Sequence, residues 1–213
     1  METLEKKSLL SKVGEKIYVV LAVLFVLFHM YTAFFGAFPG VTQKGIHLGA
    51  ILLLFFLSEM ASDKNKMWYR IFSIIVGIAG VVGCAYYVLI DAEMQNRLGV
   101  ITKPDTIFGI MLLVVVIIAA YRVVGASMCI VTLVFIAYGF LGKYMHGILR
   151  HQGLNMRRFI NLLLVTSDGV WGTPLYASAL YIVLFIILGA VMQETGIGDY
   201  LTYDTLMKLD KIL

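Results

Sequence analysis

Six long runs of apolar residues, separated by short polar segments, dominate the pattern of this chain. By residue number the runs cover 17–38, 45–60, 71–90, 104–122, 128–141 and 175–192. Most approach the ~20 apolar residues that a helix needs to cross the hydrocarbon core of a bilayer. The pattern therefore predicts an all-α integral membrane protein with about six transmembrane helices.

Two polar segments show helical periodicity of their own. Residues 155–165 predict an amphipathic helix at the membrane surface with its apolar side toward lipid, and residues 199–213 predict a second one. The apolar side of the first comprises Phe159, Leu162, Leu163 and Val165.

The basic segment before residue 17 is typical of a signal peptide. The run that follows it is too long and lacks a small-residue cleavage site, so we interpret that run as the first span.

The composition agrees with a membrane location. Hydrophobic residues make up 61% of the chain, charged residues 14%, and mean hydropathy is +0.91. Soluble domains are about half apolar and a quarter charged. The net charge of +4 comes from basic residues in short loops and not from a clustered basic face. The expected partner is therefore the lipid bilayer, and nucleic acid is not expected.

The distribution of Lys and Arg predicts the orientation of the helices. With the amino terminus in the cytoplasm, ten of the 17 basic residues lie inside and seven outside, which has the sign of the positive-inside rule. The inside residues are Lys6, Lys7, Lys12, Lys16, Lys64, Lys66, Arg70, Arg122, Lys208 and Lys211. Both termini are then cytoplasmic, and most of the outside charge falls in residues 142–158.

Catalytic signatures are not found in the sequence. It contains no GxSxG, P-loop or HExxH motif, and Cys84 and Cys129 are isolated within apolar runs. We therefore expect no enzyme activity, no catalytic residue, no metal ligand and no disulfide. A membrane-embedded enzyme would need a polar cluster at one depth, and the sequence does not predict one.

The histidines separate into two groups. His29 lies midway along the first run, where an ionisable side chain is a candidate functional residue. The alternative is a neutral histidine bonded to a neighbouring helix. We expect His47, His146 and His151 in or near loops, facing water or headgroups.

Other polar and small residues have structural interpretations. We interpret four charged residues at the ends of runs as boundary charges that reach the interface: Glu59, Asp91, Arg122 and Glu194. The third run has a glycine at every third position, Gly77, Gly80 and Gly83. Small residues let helix backbones approach closely in lipid, so this side is expected to pack against another span.

The most distinctive stretch is residues 166–200, TSDGVWGTPLYASALYIVLFIILGAVMQETGIGDY. It resembles the fused membrane permease of the tripartite ATP-independent periplasmic (TRAP) transporters, TAXI type, which reads approximately TTEGIFGIPL, an apolar helix and a G-A-x-x-x-x-S/T-G-x-G-D run. The matching residues are Thr166, Gly169, Gly172, Pro174, Leu175, Gly189, Ala190, Thr195, Gly196, Gly198 and Asp199. Asp168 replaces a glutamate of the family and Gln193 stands where a glutamate is common. A weaker similarity covers most of the chain, including Arg122 and the GKY…HG segment.

Asp168 has two interpretations within this motif. A carboxylate before a helix accepts backbone N–H bonds and suits the helix dipole, so Asp168 is expected to cap a helix beginning near Gly169. The alternative is a role in transport.

The resemblance implies a function and a domain organisation. Residues 1–125 resemble a four-helix small-subunit-like scaffold, residues 126–164 a connecting transmembrane helix with a periplasmic interfacial segment, and residues 165–213 the truncated start of the large permease subunit. The family takes up organic acids that a periplasmic binding protein delivers, commonly with a sodium gradient, in a bacterial or archaeal inner membrane. Its ion and substrate sites lie in discontinuous helices further along the large subunit, so no ligand is assigned here and no cofactor is expected. The alternative is a scaffold or assembly protein without transport activity.

Overall fold

The computed structural model describes residues 9–62, 66–97, 100–166, 169–198 and 200. The helices, in chain order, are α1 (Leu9–Phe35), α2 (Thr42–Ala61), α3 (Met67–Asn96), α4 (Lys103–Val124), α5 (Ala126–Leu141), α6 (Met156–Leu164), α7 (Thr173–Ala177) and α8 (Val183–Glu194). Short 3₁₀ turns follow α5 at Gly142–Tyr144 and Gly147–Leu149. A π-helical turn, Ser178–Ile182, joins α7 to α8, and we call the continuous helix Thr173–Glu194 the sixth span.

Six helices in the described residues are long and apolar enough to cross a membrane: α1 to α4, α5 together with the 3₁₀ turn that follows it (Ala126–Tyr144), and the sixth span. The described residues contain no strand. These findings confirm the predicted all-α, multi-pass membrane fold. At 30 residues, α3 is about 45 Å long and exceeds the ~30 Å hydrocarbon core, so its polar last turns reach the interface.

The helices extend beyond several of the apolar runs, but α1 ends early because a glycine interrupts its run. The first helix ends at Phe35, although the apolar run continues to residue 38. Gly36 has φ +99° and donates its N–H to the Thr32 carbonyl at 3.0 Å. A positive φ ends a helix whatever the polarity of the residues that follow, so hydrophobicity alone placed this end too late.

The α2, α3 and α4 helices form the centre of the bundle, and the three glycines of α3 lie at their interfaces. A Cβ atom at Gly80 would lie 3.1 Å from both Leu52 of α2 and Val115 of α4. Gly77 faces α2 and Gly83 faces α4. The missing side chains therefore let α3 approach two neighbouring helices at once.

The α6 helix is amphipathic as predicted, but its buried side packs on protein and not on lipid. Phe159, Ile160 and Leu164 are 9%, 0% and 1% exposed, whereas Leu162, expected toward lipid, is 43% exposed. A Cβ atom at Gly109 of α4 would lie 2.8 Å from the Leu164 side chain. The absence of a side chain at Gly109 leaves room that α6 fills. The expectation of a lipid-facing side was therefore wrong for Phe159, Leu163 and Val165, which pack on the core, whereas the exposed Leu162 does not contradict it.

Contacts between segments show which ends of the helices lie together. The Val41 N–H bonds the Asp91 carboxylate at 3.1 Å, and the Lys44 ammonium bonds the Trp171 carbonyl at 2.6 Å. The start of α2, the end of α3 and the start of the sixth span therefore share one end of the bundle. We call it the Lys44 end and the opposite end the Arg122 end. This arrangement agrees with the relative order of the predicted topology, and the side that faces the cytoplasm stays a prediction.

Candidate functional site

A chain of polar side chains is buried where α1, α2 and the sixth span meet. His29 on α1 and His47 on α2 are each 1% exposed. The His29 Nε2 lies 2.9 Å from His47 Nδ1, and His47 Nε2 lies 3.1 Å from Ser178 Oγ at the start of the π-helical turn. At the other end, His29 Nδ1 lies 2.8 Å from the Phe25 carbonyl oxygen. Three spans are thus joined by one hydrogen-bonded chain.

The Phe25 carbonyl determines the direction of every hydrogen bond in this chain. A carbonyl oxygen only accepts, so His29 Nδ1 carries the hydrogen and neutral His29 accepts at Nε2. The His47 Nδ1 must then donate to His29, which leaves His47 Nε2 as an acceptor for the Ser178 hydroxyl. Both neutral rings therefore carry their hydrogen on Nδ1, because each ring's tautomer follows from the bond at its other nitrogen.

The surroundings of the two rings are apolar and aromatic. The Phe25 ring lies 4.3 Å from the His29 ring and 5.6 Å from the His47 ring, centroid to centroid, and the Phe28 ring lies 5.1 Å from His29. A second polar pair lies one helical turn away, where Gln43 donates to the Thr32 hydroxyl at 3.2 Å. The described carboxylates form no hydrogen bond with either histidine.

This arrangement corrects the expectation for His47 and the expectation that no polar cluster lies at one depth. His47 is buried between helices and does not face water or headgroups, because α2 begins at Thr42 and places it inside the bundle. His29 is bonded to a neighbouring helix, which was one of its two interpretations. A polar cluster at one depth therefore exists, although the sequence did not predict one.

The serine and the two histidines lie in the order of a nucleophile, a base and an orienting group. The neighbouring backbone does not complete a hydrolytic site, however. The Ser178 N–H bonds the carbonyls of Pro174 and Leu175 within the helix, so it is not free to stabilise an oxyanion. The geometry therefore favours a structural or proton-binding chain over a nucleophile.

A second contact fixes the segment that precedes the sixth span. The Lys44 ammonium bonds the Trp171 carbonyl and lies 5.9 Å from the centroid of the Tyr176 ring. The Trp171 side chain is 1% exposed, and its indole N–H bonds the Leu164 carbonyl of α6 at 2.9 Å. The turn between α6 and α7 is thus held to α2 by a charged donor and to α6 by a buried indole.

A different polar cluster lies at the Arg122 end. The Arg122 guanidinium forms an ion pair with Glu59 and donates to the Ser73 hydroxyl at 2.9 Å. It lies over the aromatic rings of Phe56, Tyr69 and Phe72, with the closest centroid at 4.4 Å. Glu59 and Arg122 are 16% and 10% exposed and lie near the ends of α2 and α4, and their interpretation as boundary charges did not predict that they pair. They pair because the α2 and α4 ends meet, which the separate apolar runs do not reveal.

The fourth span has a cap built from a buried acid. Asp105 is 0% exposed, accepts from the Thr102 N–H at 2.7 Å and forms a capping box with that residue. It also accepts from the Tyr86 hydroxyl and from Arg97 at 3.3 Å. The carboxylate thus satisfies helix-terminal N–H groups and ties the α3–α4 connection together.

The residues of the TRAP-like motif form a compact turn and the two ends of the sixth span. Thr166 bonds the Leu162 carbonyl at 2.6 Å, and a Cβ atom at Gly169 would collide with the Leu163 backbone. Gly172 is the N-cap of α7, and Pro174 occupies its first turn. The helix therefore begins at Thr173. The expected Asp168 cap required a helix that begins near Gly169, and the structure does not have one there.

The remaining motif residues lie at the far end of the sixth span. Gly196 has φ +69° just beyond the end of α8, where a helix commonly ends in the left-handed region. A Cβ atom at Gly189 or Gly198 would meet nothing within 4 Å. Asp168 and Asp199 lie outside the described residues, as do residues 201–213 of the helix predicted for residues 199–213.

A cluster of side chains that could hold a metal ion is not found in the part of the chain that the structure describes. No cluster of three or more His, Cys, Asp or Glu side chains occurs there. Cys84 and Cys129 are buried free thiols.

The pairing of His47 with His29 has a signal in the sequence. His29 and His47 are separated by 18 residues, and the midpoint between them falls in the connection between α1 and α2. Residues at equal distances from the turn of a helical hairpin lie at about the same depth. Equal depth allows the two rings to come into contact. The partner on the sixth span had no such signal.

Comparison of the chain with protein-family models, with curated proteins and with solved structures finds no significant match.

Proposed function

We propose that this chain is a membrane component of a TRAP-type secondary transporter that takes up organic acids in a bacterial or archaeal inner membrane. The observation that carries the proposal is the ordered motif from Thr166 to Gly198, which has the spacing of the TAXI-type permease. Its geometry supports the proposal, because the turn around Gly169 and Gly172 places the start of the sixth span directly on the scaffold.

In this proposal α1 to α4 are the scaffold and the sixth span begins the transport subunit. The contacts of Lys44 with Trp171 and of His47 with Ser178 hold the two parts together at the Lys44 end. A periplasmic binding protein delivers substrate at that end, a sodium gradient drives uptake, and both termini face the cytoplasm. The ion and substrate ligands belong to discontinuous helices elsewhere in the permease.

The exposed motif glycine Gly189 supports a further subunit contact in the complete permease. It lies on the sixth span with nothing within 4 Å of the position of a Cβ atom, so its own chain does not require glycine there. Small residues on a membrane helix let another helix approach closely. We therefore assign this position to packing against the rest of the large subunit.

Uptake of labelled organic acids in the source cells tests the proposal. Deleting the gene should abolish sodium-gradient-dependent uptake, and a plasmid copy of the wild-type chain should restore it. Gly189→Leu should fold normally when purified, because the position is open, yet fail to restore uptake. Val191→Leu, at a 51% exposed position of the same helix, is the matched control and should restore it. Unchanged uptake after deletion would refute the transporter assignment.

The scaffold alternative gains no support from the structure. It would use the glycine side of α3 as a surface for other membrane helices, and that side is already filled by α2 and α4.

A further inference from the structure

The chain from Ser178 through His47 to His29 joins the sixth span to the α1–α2 hairpin by means of titratable rings. An ionisable side chain inside a membrane bundle is costly and commonly marks a proton or ligand pathway. We propose that this chain is a proton-binding site, and that proton uptake at His47 releases the start of the sixth span from the α1–α2 hairpin. The proposal goes beyond transport and does not depend on it.

The directions of the hydrogen bonds indicate where a proton from solution would bind. The His29 Nε2 lone pair is already engaged by His47 Nδ1–H, at 2.9 Å. The His47 Nε2 lone pair accepts only the Ser178 hydroxyl hydrogen, which is free to rotate. An added proton therefore binds His47 Nε2 when the hydroxyl turns away, and His47 becomes a cation that donates from both nitrogens. The bond to the sixth span then reverses its direction, with His47 Nε2–H donating to Ser178 Oγ, so the drive for release comes from the desolvation of the cation and not from the loss of that bond.

The charged groups around the site favour separation once His47 is protonated. The α1 helix presents the rings of Phe25 and Phe28, and α2 presents Lys44, a second cation three residues away. The sixth span presents the Tyr176 ring, whose centroid lies 5.9 Å from the Lys44 ammonium, and has no carboxylate between Thr173 and Ile182. On α3, the Asp91 carboxylate is bonded to the Val41 N–H and not to either histidine. A cation buried without a carboxylate partner carries a large desolvation cost. Opening toward water removes that cost, so protonation favours release of the span.

The sixth span has a change of helix geometry at the same place. Ser178 is the first residue of the π-helical turn, and the α7 helix before it has only five residues. Single π-helical turns inside α-helices occur frequently at functional sites. The buried apolar residues of this face are Ala179 and Val183, and Leu175 is partly buried against the core. Release is expected to extend from Trp171 to Ile182 and to break the bonds of Trp171 to Lys44 and Leu164, while α8 stays in place.

The fluorescence of Trp171 reports this release directly. Its indole is 1% exposed and lies just before α7, so separation of the segment from α2 brings it into water. In a Trp68→Phe background it is the remaining tryptophan, since the chain has two. In the purified full chain in nanodiscs, acidification from neutral pH should give a reversible red shift of the emission maximum with unchanged helix content.

Two histidine variants in the same background decide the origin of the shift. In His47→Gln the side-chain carbonyl accepts the Ser178 hydrogen but does not titrate, so the red shift should be lost. His146→Gln changes an exposed loop histidine and should retain it. If His47→Gln does not fold, as judged by gel filtration, His47→Asn takes its place, because it also removes the titrating ring. A shift that persists in both variants, is absent from both or is lost only in His146→Gln overturns the proposal.

Nitrogen NMR of histidine-labelled protein gives a measurement without substitution in the site. At neutral pH both buried rings should carry a hydrogen on Nδ1 and none on Nε2. Across the pH range of the Trp171 shift, one ring should become doubly protonated. Rings that stay neutral through that range contradict the proposal.

Discussion

The packing of α3 yields the sharpest stability prediction, at Gly80. A Cβ atom there would already lie 3.1 Å from Leu52 and from Val115, so each neighbour must give by a few tenths of an ångström. Leucine adds three further carbon atoms to a space that α2 and α4 enclose on both sides. Overpacking of this kind typically costs ~1–3 kcal/mol, and the two-sided contact favours the upper part of that range. For a chain of this size, that loss lowers the melting temperature by roughly 4–10 °C.

The protein contains its own probe for this measurement. Cys84 and Cys129 are 2% and 7% exposed, so a thiol-reactive dye reports their exposure as the purified protein unfolds in detergent. Val82→Leu is the matched control, because Val82 lies on the same helix and is 44% exposed. It should melt close to the wild type. Equal melting temperatures for Gly80→Leu and Val82→Leu would refute the close packing of α3 between two helices.

Two further predictions follow from the polar contacts and from the shared ends of the helices. Arg122→Gln removes the guanidinium from a largely buried Glu59 and should cost about 3 kcal/mol in the same thiol assay, the lower end of the range for buried pairs. Glu59→Gln combined with Arg122→Gln should recover part of that loss, and a double variant less stable than the single one would contradict the pairing. Single cysteines at Asn96 and Gln152 should react with an impermeant reagent from one side of the membrane and a cysteine at Lys66 from the other. Labelling of Asn96 and Gln152 from opposite sides would show that the α5 span is wrongly assigned.

The existence and number of the spans were predictable because each depends on a local property. A run of apolar residues must be helical in lipid, since its backbone N–H and C=O groups find no water there. The start of the fourth span was also predictable, because Pro104 suits the first turn and Asp105 caps it. Helix ends set by backbone conformation, as at Gly36, were predicted less well.

The candidate site was only partly predictable for a related reason. His29 was identified from its depth in an apolar run, which is a property of its own helix. Its partner His47 was expected in or near a loop and facing water or headgroups, because it lies close to the start of the second run, and which helices cover that end is not a local property. The π-helical turn that presents Ser178 to His47 has no residue signature that would have predicted it.

The sequence by itself determined the membrane class, the six spans and the amphipathic character of α6. Only the tertiary structure decided what covers each helix: α6 on Gly109 of α4, Glu59 with Arg122, and His47 between His29 and Ser178. The physical reason is that hydrophobicity and turn chemistry act over a few neighbouring residues. Side-chain pairing instead depends on which helices become neighbours and at what depth. That choice is made by the fit of small and large residues across the whole bundle.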